Sequence, residues 1–142
     1  KKVLPYDLKV LKEMEREVGK FFADIPCPHQ SFAMVAVGGT ATTLASVEQK
    51  LDQFDYEKIH HFVLEKKALK RQLALYRSKT IEERRKIPGL PSARADVILA
   101  GGAILYLAME KFEVPSVLIS CHGVRYGLLY KKISDFGLRI SD

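Results

Sequence analysis

Apolar residues recur at helical spacing from the start of the chain: Leu8, Leu11, Met14, Val18 and Phe21 share one face over residues 4–22. Pro5 suits a first helical turn, where its missing N–H costs nothing, and Asp7 suits the positive helix end. Ile25-Pro26-Cys27-Pro28 forbids continuation and predicts a loop. The pattern then changes to an unbroken apolar run, Phe32-Ala33-Met34-Val35-Ala36-Val37, as expected of a strand covered on both faces. It stops at Gly38-Gly39-Thr40, and residues 41–51 predict a helix that begins at once.

Residues 52–86 differ in character. Phe62, Leu69, Leu73 and Tyr76 share one helical face, while Lys66, Lys67, Lys70, Arg71 and Arg77 cover the others. Thr80 and Glu83 have the spacing of a capping box for a further short helix. Ile87-Pro88-Gly89-Leu90-Pro91 is a break, after which Ser92 is expected to cap a long, buried helix reaching residue 112. Its Gly101-Gly102 pair costs about 1 kcal/mol per glycine against alanine, so another backbone should pack closely there. Residues 114–120 predict a second buried strand, and residues 124–133, after Gly123, a last helix. Helices alternating with strands predict an α/β fold. The expected organisation is one domain over residues 1–142, with a helical insertion at about residues 52–91.

Composition changes this picture only at the margins. A chain of 142 residues, 47% apolar and 28% charged, suits one globular core. Its 23 basic and 17 acidic residues leave a net charge of +6, which suggests an anionic partner. Two cysteines cannot build a disulfide scaffold, and Lys1-Lys2 does not open a secretory leader. The longest apolar stretch, residues 97–109, is too short to span a bilayer. The expected compartment is the cytoplasm.

Chemistry is concentrated at the glycine turns. Gly38-Gly39-Thr40 lies where a strand hands over to a helix, so backbone N–H groups can meet phosphate oxygens, or Thr40 can simply cap the helix. Neither a P-loop nor a dinucleotide fingerprint is complete here. Ser120-Cys121-His122-Gly123-Val124-Arg125-Tyr126-Gly127 repeats the layout, and Arg125 offers a phosphate a two-pronged donor unless it is a plain surface arginine. Cys27, His29, Cys121 and His122 lack zinc-site spacing, and Cys121-His122 lacks an orienting carboxylate for nucleophilic work. His60-His61 reads as packed or solvated before catalytic. The basic face over residues 66–86 is either a polyanion-binding surface or an ordinary solvated helix.

Taken in order, the motifs resemble the second half of the exopolyphosphatase/guanosine pentaphosphate phosphatase (Ppx/GppA) family. The matching stretches are Val35-Ala36-Val37-Gly38-Gly39-Thr40-Ala41-Thr42-Thr43-Leu44-Ala45, Tyr56-Glu57-Lys58-Ile59-His60 and Glu82-Glu83-Arg84-Arg85-Lys86-Ile87-Pro88-Gly89-Leu90. More specific are Arg94-Ala95-Asp96-Val97-Ile98-Leu99-Ala100-Gly101-Gly102 and Gly123-Val124-Arg125-Tyr126-Gly127-Leu128-Leu129. Cys121 and Tyr126 depart from the family, which has an aspartate and often a glutamate at those places.

The resemblance implies a ribonuclease H-like domain of the actin-like ATPase superfamily and a hydrolase of polyphosphate or guanosine pentaphosphate. Gly38, Gly39, Thr40, Arg94, Gly123 and Arg125 are then the phosphate- and nucleotide-binding candidates. The intact enzyme is expected to use Mg²⁺, but no ligand for it is assignable here. The family's acidic-glycine phosphate loop and catalytic acids do not occur in this sequence. The chain is therefore expected to be a piece of a longer enzyme, inactive alone. Alternatives are a non-catalytic guanosine tetra- or pentaphosphate sensor and a basic polyanion- or RNA-binding module. With only two strands expected of the family's five-stranded sheet, an open edge should drive homodimerisation, unless Leu138-Arg139-Ile140-Ser141 covers it as a terminal strand.

Overall fold

The computed structural model describes residues 8–28 and 30–135. Pro5, Asp7, His29 and the 138–141 segment therefore lie outside the described residues. The expected first helix is α1 (Leu8–Ala23), which packs across the long helix α6 (Ile98–Lys111). The expected strands are present but short, as β1 (Val35–Val37) and β3 (Ser116–Ser120). They pair in parallel, with Val35 opposite Leu118 and Val37 opposite Ser120. Between them run α2 (Gly39–Glu48), α3 (Tyr56–Ile59), β2 (Val63–Glu65), α4 (Lys66–Arg77) and α5 (Ile81–Arg84). Helix α7 (Val124–Asp135) follows β3.

Three expectations need correction. The segment over residues 52–91 is not purely helical, because β2 lies antiparallel on β3 and makes the sheet order β1-β3-β2. Three residues sandwiched between helical turns show no period of their own, so the strand is hidden in the pattern. The sheet is also covered on one face only among the described residues. Val117 and Ile119 of β3 and Leu64 of β2 are buried against the helices, whereas Val35, Val37 and Val63 stand about half exposed on the opposite face. Finally, Ser92 does not begin the long helix. Residues 92–94 form a single tight turn, and α6 starts at Ile98. Arg84 Nη1 donates to the Ala95 carbonyl just after this turn.

The core lies between the sheet and helices α2, α4 and α6, around Leu44, Leu69, Leu99 and Met109. The two glycines of α6 are explained by close packing, against side chains rather than the expected backbone. A Cβ at Gly101 would fall 2.7 Å from Thr40 Oγ1, and one at Gly102 would fall 3.0 Å from Leu73 Cδ2. Tyr76 extends this packing with a polar thread: its hydroxyl donates to Gln72 Oε1, and Gln72 Nε2 donates to Leu44 O and Glu48 Oε2. Burial pushes the Tyr76 hydroxyl well above its ordinary pKa, so it stays a donor. The Thr80 capping box forms as its spacing predicts, with Thr80 and Glu83 satisfying each other's backbone N–H groups.

Candidate functional site

Parallel pairing of β1 with β3 sets the two glycine turns side by side at the carboxyl ends of neighbouring strands, where open α/β sheets bind ligands. Gly38 makes the first turn with φ +92°, a region that other residues rarely adopt. No side chain caps α2, and its first hydrogen bond runs from Thr42 N to Gly38 O. The N–H groups of Gly39, Thr40 and Ala41 therefore have no partner within the helix.

Arg94 joins this turn from the far side of the chain. Its guanidinium occupies the space that a Cβ on Gly39 would need, with Nη1 2.7 Å from that point. Glycine is required here by a neighbour rather than by backbone angle. Thr40 turns its hydroxyl toward Gly101 of α6, so what it offers the crevice is its backbone N–H. In the second turn, Gly123 O accepts the first backbone bonds of α7, from Tyr126 N and Gly127 N. Arg125 is exposed in the opening turn of α7. The six candidates thus fall around the sheet's carboxyl end, with Arg94 in contact with Gly39.

None of the six carries a carboxylate, and no group of three or more His, Cys, Asp or Glu among the described residues could hold a metal ion. These residues do not fit a magnesium site, and no step is assigned to one. The zinc set also disperses. Cys27 Sγ donates to Lys111 O at the end of α6, near the start of β3, whereas Cys121 follows the opposite end of that strand. Burial raises the Cys121 thiol above its usual pKa, the reverse of what a nucleophile needs.

The basic face is partly ion-paired. Lys66 lies 2.9 Å from Glu110, Lys67 3.0 Å from Glu65, Arg71 2.8 Å from Glu48 and Arg85 2.7 Å from Glu82. Arg84 is fully buried. Part of the cationic stripe is thus ion-paired, while Lys70, Arg77 and Lys86 remain exposed.

The residues that sequence reasoning passed over are the rings beside the second turn. Antiparallel pairing of β2 brings His60 and His61 to the carboxyl end of β3, where Cys121 N donates to His60 Nδ1 at 3.2 Å. His60 and His122 have ring centroids 4.5 Å apart, and Tyr56 Oη lies 2.9 Å from His122 Nε2. The available signal was a doubled histidine with Tyr56 four residues before His60, and Tyr126 four residues after His122. Burial lowers the His60 pKa below 6.5, and the neighbouring His61 and His122 lower it further, against an opposing pull from Glu57.

The sign follows directly. A histidine depressed by folding stabilises the native state above its unfolded pKa, and that stabilisation is lost as pH falls through the folded value. The thermal midpoint is expected to drop between about pH 7 and pH 5, above the range where ordinary carboxylates titrate. His60→Gln, which keeps an acceptor for Cys121 N, should flatten that interval. An equal slope in both proteins rules the histidine out as its source.

A mixed α/β domain with paired glycine turns at the carboxyl ends of neighbouring strands has the layout at which open α/β sheets bind ligands. The Ppx/GppA phosphatase family model matches residues 2–136, and the chain belongs to that family. The solved Ppx/GppA family member of Aquifex aeolicus is similar at 29% identity with a TM-score of 0.87, over 97% of this chain and 45% of that one. An exopolyphosphatase from Cytophaga hutchinsonii shares the fold, with a TM-score of 0.70 at 17% identity, over 97% of this chain and 45% of its own. A bifunctional 3-dehydroquinate synthase/phosphatase of Fusobacterium nucleatum is 36% identical over 90 residues, or 63% of this chain and 13% of that protein. The chain thus spans less than half the length of these solved relatives. No helix among the described residues is long and apolar enough to cross a membrane.

Proposed function

We propose that this chain supplies the phosphate-cradling part of a phosphoanhydride hydrolase, an exopolyphosphatase or guanosine pentaphosphate phosphatase that releases a terminal phosphate. The observation that carries this reading is the pair of adjacent glycine turns, with the Arg94 guanidinium laid on Gly39. Backbone N–H groups with no partner within the helix, next to a guanidinium, suit phosphate oxygens. Gly38, Gly39, Thr40 and Gly123 offer the backbone, while Arg94 and Arg125 offer charge. We assign the domain to the ribonuclease H-like fold of the actin-like ATPases, acting in the cytoplasm. Mg²⁺ serves the intact enzyme through residues outside this chain.

Inorganic tripolyphosphate tests the cradle. Arg125→Ala should weaken its binding by about tenfold, as expected for one charge-assisted contact. Lys67→Ala, which removes a cation already paired with Glu65, should change it little. Equal losses at both positions support a diffuse polyanion surface instead. The chain alone should release no phosphate, because activating water needs a positioned carboxylate that the six residues lack. Turnover abolished by a point change within the chain contradicts this.

The sheet face left uncovered and the β1 edge left unpaired among the described residues support self-association about a two-fold axis. Light scattering at tens of micromolar should then report a dimer, and the unfolding midpoint should rise with concentration. A monomer with a concentration-independent midpoint rejects the dimer.

A further inference from the structure

Four rings follow one another beside the second glycine turn. His61 stacks on His60 with centroids 3.8 Å apart, His60 lies 4.5 Å from His122, and His122 stacks on Tyr126 at 4.2 Å with planes 16° apart. Tyr56 braces the series from the side, stacked on His60 and hydrogen-bonded to His122 Nε2. Tyr130 stands 6.4 Å from His122, one helical turn beyond Tyr126.

The chain makes concessions to build this arrangement. His61 has φ +65°, a left-handed conformation that costs a non-glycine residue about 1 kcal/mol. Its N–H is held by Ile119 O at 2.8 Å. The bond from Cys121 N requires His60 Nδ1 to be unprotonated, so the ring is neutral and carries its proton on Nε2. Core packing does not account for these rings. Tyr126 remains 40% exposed and Tyr130 42% exposed, and neither belongs to the buried core.

We propose that this ring series is a stacking platform for the purine base of a nucleotide whose phosphates lie on the glycine turns. The inference rests on the phosphate reading and narrows it from phosphoanhydrides in general to nucleotides. Three features favour a base over a phosphate chain. Flat, braced rings offer π-faces. Their series ends on the exposed Tyr126, next to Arg125 in the same helical turn. The platform is continuous with the proposed cradle, because His122 and Gly123 are adjacent in the chain. Stacking is sequence-tolerant but strong, and it rewards a platform that is rigid before the ligand arrives.

The test compares guanosine triphosphate with inorganic tripolyphosphate by calorimetry on the 142-residue chain. Guanosine alone, at millimolar concentration, is followed through the ring resonances of His122 and Tyr126. The triphosphate is expected to bind about tenfold more tightly than tripolyphosphate, the low end of the range for one stacked base. Tyr126→Ala should erase that advantage and leave tripolyphosphate affinity unchanged, which also shows that the variant is folded. Tyr126→Phe should retain the advantage. Equal affinities of the two ligands for the native chain overturn the platform, as does an advantage that survives Tyr126→Ala. Should tripolyphosphate fail to bind while guanosine still shifts both rings, the phosphate reading falls and the platform stands. Should guanosine shift neither ring, the platform falls whatever tripolyphosphate does.

Discussion

Arg84→Ala is expected to lower the unfolding free energy by about 3 kcal/mol or more, a large share of the stability of a single domain. The side chain is fully buried, and its guanidinium ties three segments together. Nε donates to Tyr76 O at 2.8 Å, at the end of α4, and Nη1 donates to Ala95 O at 3.3 Å. Its own backbone belongs to the short helix α5. Alanine removes a donor from each of two carbonyls, Tyr76 O and Ala95 O, and leaves a void the size of the lost side chain. Arg84→Lys should recover little, because an ammonium on a single stem cannot reproduce the planar fork. Urea unfolding followed by circular dichroism measures both. A midpoint close to that of the native chain in Arg84→Ala contradicts the assignment. The consequence reaches the candidate site, since Ala95 follows the arginine that lies on Gly39.

The two outcomes at the site show what sequence can and cannot carry. The glycine turns were legible because their chemistry is backbone chemistry, written in consecutive residues between a strand and a helix. Arg94 was suggested by a family motif, but nothing in the spacing of residues 39 and 94 brings the two together. That contact is made where residues 92–97 run in turns before α6 begins. The ring platform was invisible for a similar reason. His60 and His122 meet only because β2 pairs with β3, and β2 is three residues long within a stretch that reads as helix. The basic face differs in the opposite direction. Its cations are contiguous and conspicuous, whereas Glu48, Glu65 and Glu110, which pair with three of them, are scattered over distant turns. Local chemistry survives in a linear reading, and chemistry assembled by pairing does not.

Gly89→Ala should cost about 3 kcal/mol, by adding two separate penalties. Gly89 has φ +83°, so any Cβ is strained wherever it points. That Cβ would also overlap the Ser46 carbonyl, with Ser46 C 2.6 Å and Val47 Cα 2.8 Å away. Both neighbours are backbone within α2, so neither can move aside as a flexible side chain does. The loop must lift instead, taking Ile87 and Leu90 out of the core that they help to close. Gly123→Ala is the matched control, because no atom lies within 4 Å of its added Cβ and its φ is not left-handed. Its thermal midpoint should stay close to that of the native chain. Lifting the 87–91 loop also moves the chain that leads to Arg94, and α2 carries Gly38 and Gly39 at its other end. Gly89→Ala is therefore expected to weaken tripolyphosphate binding even at temperatures where the variant is fully folded. If stability falls while that affinity holds, the loop props up α2 without setting the position of Arg94, and the cradle owes its geometry to Arg84 alone.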